Sequence, residues 1–492
     1  MSNVKHACGL MGVIGVKDAA VPVWLGLHAQ QHRGQEGAGI ASYSGGAFSL
    51  IKNMGLLERA VPVRQLAELE GDLAIGHVRY PASGANMIEN VQPTVIDYSG
   101  GAIAIAYNGG LVNSRIIRDE YEAYGSIFRT ASDTEILVHL LAKPSHQARK
   151  NPLAHCLGHI KGAFCFVVAM DGKLIGARDP HGMRPLCLGR FPGGGWALAS
   201  ETVAFDIVGA DFVREVEPGE MVAIPAGGEP ESLLFAAPEE IRPAHCVFEH
   251  VYFARPDSRV FGENVHLARV RFGRALAREA PVEADLVSAI PDSGTSAALG
   301  YSQESGIPFD RALMCNFYVG RTFIAPEQKA RQRAVNLKLN VVQEVVDGKR
   351  VILVDDSLVR GTTVANLIRM VRDAGAAEVH LKLSCQPLLH PCFYGTDFPS
   401  SSELIAANHP VEDIRRIIGA DSLSYLSLAG MLSALSRPPD HYCTACFTGD
   451  YPVPMIDPPA RKPPGPAKVN SESGKFFDSH VNPRRKGPQG RA

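Results

Sequence analysis

Two periodicities divide the chain. In the first half, short apolar runs are broken by glycine and polar turns. Residues 73–80 (LAIGHVRY) and 102–107 (AIAIAY) are strand-sized and bounded by glycine, which predicts antiparallel sheet with interspersed helices. Residues 164–178 (FCFVVAMDGKLIGAR) set Asp171-Gly172 between two apolar runs and predict a two-residue hairpin, because that pair tolerates the positive φ of a tight turn. A further turn is expected at 192–195. From about residue 285 the order becomes strand, glycine-containing loop, helix, strand, the grammar of parallel α/β units. RVILVDD (350–356) predicts a buried strand, SLVRGTT a loop, VANLIRMVRDAG a helix closed by Gly375, and AEVHLKLSC the next strand. DLVSAI, PDSGTS and AALGYSQESG (285–306) repeat that plan.

Composition narrows the class. A length of 492 residues with 46% hydrophobic content is enough for more than one buried core and excludes a disordered or fibrous chain. Lys plus Arg is 49 and Asp plus Glu is 51, so a net charge of −2 supplies no whole-molecule field for nucleic acid or anionic lipid. Any anion site must be local. Ten unevenly spaced cysteines are too few for a disulfide-stapled secreted scaffold and suggest reduced thiols in a cytoplasmic protein. No run approaches the roughly 18 apolar residues of a membrane helix. The start, MSNVKHACGLMGVIGV, lacks a signal-peptide cleavage pattern. Residues 456–492 are dense in proline and basic residues and are expected to be a disordered tail.

The loop after the 350–355 strand carries chemistry. Asp355 and Asp356 end the strand, and Ser357, Gly361, Thr362 and Thr363 lead into a helix N-terminus, where free N–H groups, hydroxyls and the helix dipole suit a terminal phosphate. The two carboxylates match ribose hydroxyls or a divalent metal; a surface turn with two solvated acids is the plain alternative. The segment resembles the phosphoribosyl-pyrophosphate (PRPP) motif of type I phosphoribosyltransferases. That resemblance implies that Asp355 and Asp356 hold ribose hydroxyls or Mg²⁺, that 357–363 wrap the 5-phosphate, and that Ser293 of PDSGTS lies near the metal. The 320–340 loop, with Arg321, Lys329, Arg331, Arg333 and Lys338, would close over the pyrophosphate; by itself it also reads as a solvated charged helix.

Near the start stand Cys8, HAQQHRGQEGAGIA (28–41), GHVRYPASG (76–84), YNGGLVN (107–113) and SDTE (132–135). Together they resemble the glutamine amidotransferases of the N-terminal-nucleophile class, and with the sugar-phosphate loop they resemble the glutamine PRPP amidotransferase family across residues 8–455. The resemblance implies an α+β N-terminal-nucleophile αββα sandwich (8–240) followed by an α/β type I phosphoribosyltransferase domain (241–455). It implies a propeptide, residues 1–7, removed to free the α-amine of Cys8 as the base for its own thiol. Arg79 and Asp133 would grip the glutamine α-carboxylate and α-amine, and Asn108 and Gly109 would form the oxyanion hole.

Cys443 and Cys446 form a C-x-x-C, which alone reads equally as a redox pair or half a zinc site. Their surroundings, with those of Cys246 and Cys392, resemble the iron–sulfur subgroup of the family, which implies a [4Fe–4S] cluster on the four thiolates. Cys156, Cys165, Cys187, Cys315 and Cys385 lie in apolar segments and read as core. The implied reaction joins glutamine, PRPP and water to give 5-phosphoribosylamine, glutamate and pyrophosphate, the first step of purine synthesis, in a homotetramer with purine-nucleotide feedback and no nucleic-acid or membrane partner. Four positions depart from the family pattern: Tyr107 and Gly110, in Tyr107-Asn108-Gly109-Gly110 where His-Asn-Gly-Asn is usual, Asn336 where Arg is common, and Val341 where Pro or Ala is common. Asn336 and the altered 107–110 turn motivate the alternative of a catalytically silent PRPP or nucleotide sensor on the same fold; a glucosamine-phosphate-forming relative would need sugar-isomerase domains, and the acid pair with Gly-Thr-Thr argues for PRPP instead.

Overall fold

Alternation along two central strands builds four layers. In the strand Gly9–Ile14, Leu10 and Ile14 face one core while Met11 and Val13 face another. In Gly162–Met170, Cys165, Val167 and Ala169 join the first of these cores, and Phe164, Phe166 and Val168 a third. With period two, each strand serves two faces, so two sheets pack on each other and each is covered outside by helices. The seven-stranded sheet runs Asp211–Glu215, Cys187–Arg190, Trp196–Ala199, Gly9–Ile14, Leu73–Arg79, Gly37–Ser44, Ala47–Met54, and the helix Ala20–Ala29 covers it. The six-stranded sheet runs Glu231–Leu234, Glu220–Pro225, Lys173–Arg178, Gly162–Met170, Gly101–Leu111, Thr94–Tyr98, beneath the helices Asp133–Ala142 and Pro152–Leu157. Asp171 and Gly172, at φ 52° and 67°, make the expected hairpin.

The computed structural model describes residues 8–80, 87–130, 132–316, 339–396 and 400–457. The expected propeptide 1–7, the cationic loop residues Arg321, Lys329, Arg331, Arg333, Asn336 and Lys338, and the tail from 458 lie outside the described residues. Ile456 and Asp457, expected in the tail, belong to the fold: both N–H groups donate to the Val112 carbonyl, and the Asp457 carboxylate accepts from the Arg115 and Ile116 N–H groups at 2.9 Å. That carboxylate caps the helix Ser114–Ala123, four of whose N–H groups have no intrahelical partner.

The second half is a four-stranded, wholly parallel sheet ordered Leu286–Ala289, Arg350–Asp355, Glu378–Leu383, Ser422–Tyr425. Helices Val265–Glu279 and Thr295–Ser305 cover one face, and Thr362–Asp373 with Val411–Ile418 the other. Buried on both faces, its strands read as unbroken apolar runs such as VILV. The loops after the first two strands leave from the same, carboxyl edge of the sheet, where open α/β folds place their ligands. Between the halves, His245–Cys246 pairs in parallel with Tyr442–Cys443, which sets Cys246 opposite Cys443.

Candidate active sites and thiol cluster

Cys8 precedes the central strand of the first sheet, whose antiparallel partner ends at Arg79. The Tyr80 N–H and carbonyl both lie 3.5 Å from the Cys8 Sγ, and the Arg33 Nε donates to the Cys8 carbonyl at 3.1 Å. Burial pushes the thiol up despite the nearby Tyr80 N–H and the charges of Arg79, Arg33 and Arg184, so the sulfur is not ionised in advance and needs a base. His77 crosses to the second sheet, its Nε2 lying 3.1 Å from the Tyr107 carbonyl. Beside that contact the Asn108 side-chain Nδ2 is buried with no hydrogen-bond partner among the described residues. A buried unpaired amide costs about 1–3 kcal/mol unless a ligand accepts from it. Asp133 opens the helix Asp133–Ala142, and its Oδ2 accepts from the Tyr107 hydroxyl at 3.1 Å and the Leu111 N–H at 3.3 Å.

A fully buried ionic chain backs the nucleophile. Arg33 donates to both Glu249 oxygens at 3.0 and 2.8 Å and to Glu201 at 2.5 Å. Arg184 reaches the same Glu249 at 3.2 Å, the Tyr394 carbonyl at 2.8 Å and the Thr396 hydroxyl at 2.7 Å. Burial opposes the Arg33 charge, but the Glu249 and Glu201 carboxylates outweigh it and hold the guanidinium protonated. Burial likewise works against Glu201, yet His32 and Arg33 hold its carboxyl well below the usual range.

At the parallel sheet, Asp355 and Asp356 are buried, and each keeps its Oδ2 without a partner among the described residues. The Ser293 hydroxyl stands 3.5 Å from the Asp355 Oδ1, and the Ser357 hydroxyl donates to Asp356. Burial and the Asp356 charge push the Asp355 carboxyl far up, the condition a divalent cation or hydroxyl donor would relieve. Gly361, at φ 77°, turns the loop into the helix Thr362–Asp373, so the N–H groups of Thr362 and Thr363 belong to its open first turn.

Cys246, Cys392, Cys443 and Cys446 line one small cavity of about 20 Å³, together with Met183, Phe248, Tyr394 and Tyr451. Burial pushes the Cys246 thiol up to about 11 and those of Cys443 and Cys446 higher. Four converging thiols in an apolar chamber, two of them in strand register, fit a thiolate-ligated centre: the metal would supply the charge that burial denies.

A glutamine amidotransferase domain model matches residues 81–206. The Bacillus subtilis amidophosphoribosyltransferase is 46% identical over 458 residues, covering 92% of this chain and 95% of the relative. The Mycobacterium tuberculosis protein of the same name is 47% identical over 469 residues, covering 92% and 88%. The chain belongs to the amidophosphoribosyltransferase family. Among solved structures, the B. subtilis glutamine PRPP amidotransferase complexed with ADP and GMP superposes with a TM-score of 0.85 at 46% identity, covering 91% of this chain and 98% of that one. In this amidophosphoribosyltransferase-family chain, the fold thus brings Cys8, Arg79, Asn108, Gly109 and Asp133 around one end of the paired sheets, and Ser293, Asp355, Asp356, Ser357 and Gly361–Thr363 around one edge of the parallel sheet. Sequence reasoning missed Arg33, Arg184, Glu201 and Glu249. Arg33 sits inside a quoted motif, but its partners lie 168 and 216 residues away and carry no local signal.

Proposed function

We infer that this chain catalyses amidophosphoribosyl transfer: glutamine, PRPP and water yield 5-phosphoribosylamine, glutamate and pyrophosphate, the entry to purine synthesis. Residues 8–240 serve as the glutaminase and 241–455 as the phosphoribosyltransferase. The observation that carries this reading is the buried Asn108 amide, without a hydrogen-bond partner among the described residues, on the strand beside Tyr107, whose carbonyl meets the Cys8 sheet through His77.

Removal of Met1–Ala7 gives Cys8 a free α-amine, which takes the proton from its thiol. The thiolate attacks the glutamine side-chain carbonyl; Arg79 pairs with the substrate carboxylate and Asp133 with its ammonium. The tetrahedral oxygen accepts from the Asn108 Nδ2 and the Gly109 N–H. Ammonia leaves with the proton returned by the α-ammonium, and water then cleaves the thioester to glutamate. Ammonia crosses a dry passage to the ribose anomeric carbon, because bulk water would protonate it. There the Thr362 and Thr363 groups and the helix N-terminus hold the 5-phosphate. Asp355 and Asp356, with Ser293, would hold Mg²⁺, which when bound neutralises the departing pyrophosphate. Cys246, Cys392, Cys443 and Cys446 would ligate a [4Fe–4S] cluster, which supplies a covalent tie between the domain junction and the C-terminal region. Purine nucleotides are proposed as feedback inhibitors, supported by the ADP and GMP in the B. subtilis relative's structure; a homotetramer completes the proposal.

The test joins intact mass to isotope transfer. Mature protein should begin at Cys8 and move ¹⁵N from the glutamine amide into phosphoribosylamine only with PRPP present. A chain that retains Met1 and transfers no label would be the silent sensor instead.

A further inference from the structure

Three histidines converge away from both active sites. His146 lies in the short helix Pro144–Gln147, His155 in Pro152–Leu157, and His159 follows one turn later. Their rings stand 4.9, 5.0 and 4.7 Å apart, and one ligand nitrogen of each lies within 4.8 Å of the others. None of these residues takes part in the chemistry proposed above. Both helices pack against Asp133–Ala142, the helix that Asp133 opens.

We propose that His146, His155 and His159 form a binding site for a zinc-like divalent transition metal that clamps this helical layer. Three observations carry it. First, the Nε2 atoms of His155 and His159 are 3.2 Å apart; ligands at about 2.0–2.1 Å from a tetrahedral zinc are separated by about 3.3 Å. Second, the His146 Nδ1 lies 2.9 Å from the Leu140 carbonyl, to which only a protonated nitrogen can donate. That bond leaves the lone pair on Nε2 and fixes the ring, the outer-shell arrangement that metal-bound histidines use. The Cys156 sulfur, 3.7 Å from the same Nδ1, stands on the carbonyl side and is no ligand. Third, His146 is buried, His155 half-buried and His159 exposed, so the fourth position opens to solvent. Water completes the shell there. Helices of four and six residues have little stability of their own, and a metal bridging them and the following turn supplies what their length cannot.

The competing account is one N–H···N bond beside a stacked ring. Chelator-dialysed full-length protein titrated with Co²⁺ distinguishes the two. One equivalent should bind at micromolar concentration with the visible absorption of tetrahedral cobalt and without thiolate-to-cobalt charge transfer in the near ultraviolet. Zn²⁺ should displace it and raise the thermal midpoint. His155→Gln and His159→Gln, both at accessible positions, should each abolish the band and the thermal shift while amidotransferase turnover stays unchanged. Absence of a tetrahedral band, binding only at millimolar metal, or an equal band in both variants would overturn the proposal.

Discussion

Gly110 lies directly against the backbone of Gly395: a Cβ on Gly110 would stand 2.5 Å from the Gly395 nitrogen and 2.6 Å from the Phe393 carbonyl oxygen. The strand that carries Asn108 and Gly109 and the segment that carries Cys392 are therefore one packing unit. A side chain at residue 110 would force them apart, which accounts for glycine where the family pattern has asparagine.

Gly110→Asn is expected to destabilise the junction by about 1–3 kcal/mol, the usual cost of overpacking. A lower thermal midpoint should accompany a larger loss of glutamine-dependent than ammonia-dependent activity. Equal loss of both would separate the contact from the glutaminase.

The second departure, Tyr107, has a role of its own. Its hydroxyl donates to one oxygen of the half-buried Asp133 carboxylate. Tyr107→Phe should therefore raise the KM for glutamine, by about 10-fold for a charge-assisted bond of about 1.5 kcal/mol, with kcat nearly unchanged.

Asn108→Ala removes the unpartnered donor. Its kcat with glutamine should fall about 10²–10³-fold, the cost of one oxyanion donor, while turnover with ammonium salts persists.

Much of this arrangement is legible in the chain because it is local. Asp171-Gly172, the RVILVDD strand and the helix closed near Gly375 follow from patterns within a dozen residues. The ionic chain from Arg33 through Glu249 to Arg184 was not legible, because its members meet only after two domains have folded. Glu249 sits in a π-helical turn, 249–253, which no periodicity announces. The histidine trio gave one local sign, the i, i+4 spacing of His155 and His159, but His146 joins them from a different helix.

Breaking that ionic chain should be costly. Glu249→Gln leaves the buried Arg184 guanidinium without its carboxylate and Arg33 with Glu201 alone, and a loss of about 3–5 kcal/mol is expected. Thermal unfolding of the variant checks it; a midpoint within a degree of the parent would count against the network.

Acid should destabilise the paired-sheet half of the chain through His77. Burial, reinforced by the Arg79 charge, pushes its imidazole down to about 3. Unfolding returns it to about 6.5, so the unfolded chain binds the extra proton between those values. This contribution is complete above about pH 6.5 and is lost as the pH falls toward 3. His77→Gln should flatten the fall of the thermal midpoint between pH 6.5 and 4.

The most direct test is the nitrogen source used by Cys8→Ala. With its thermal midpoint unchanged, this variant should release pyrophosphate from PRPP at the parent rate when supplied with ammonium chloride, and should show no release above background with glutamine. Glutamine-dependent release that survives the substitution would contradict the account at its centre.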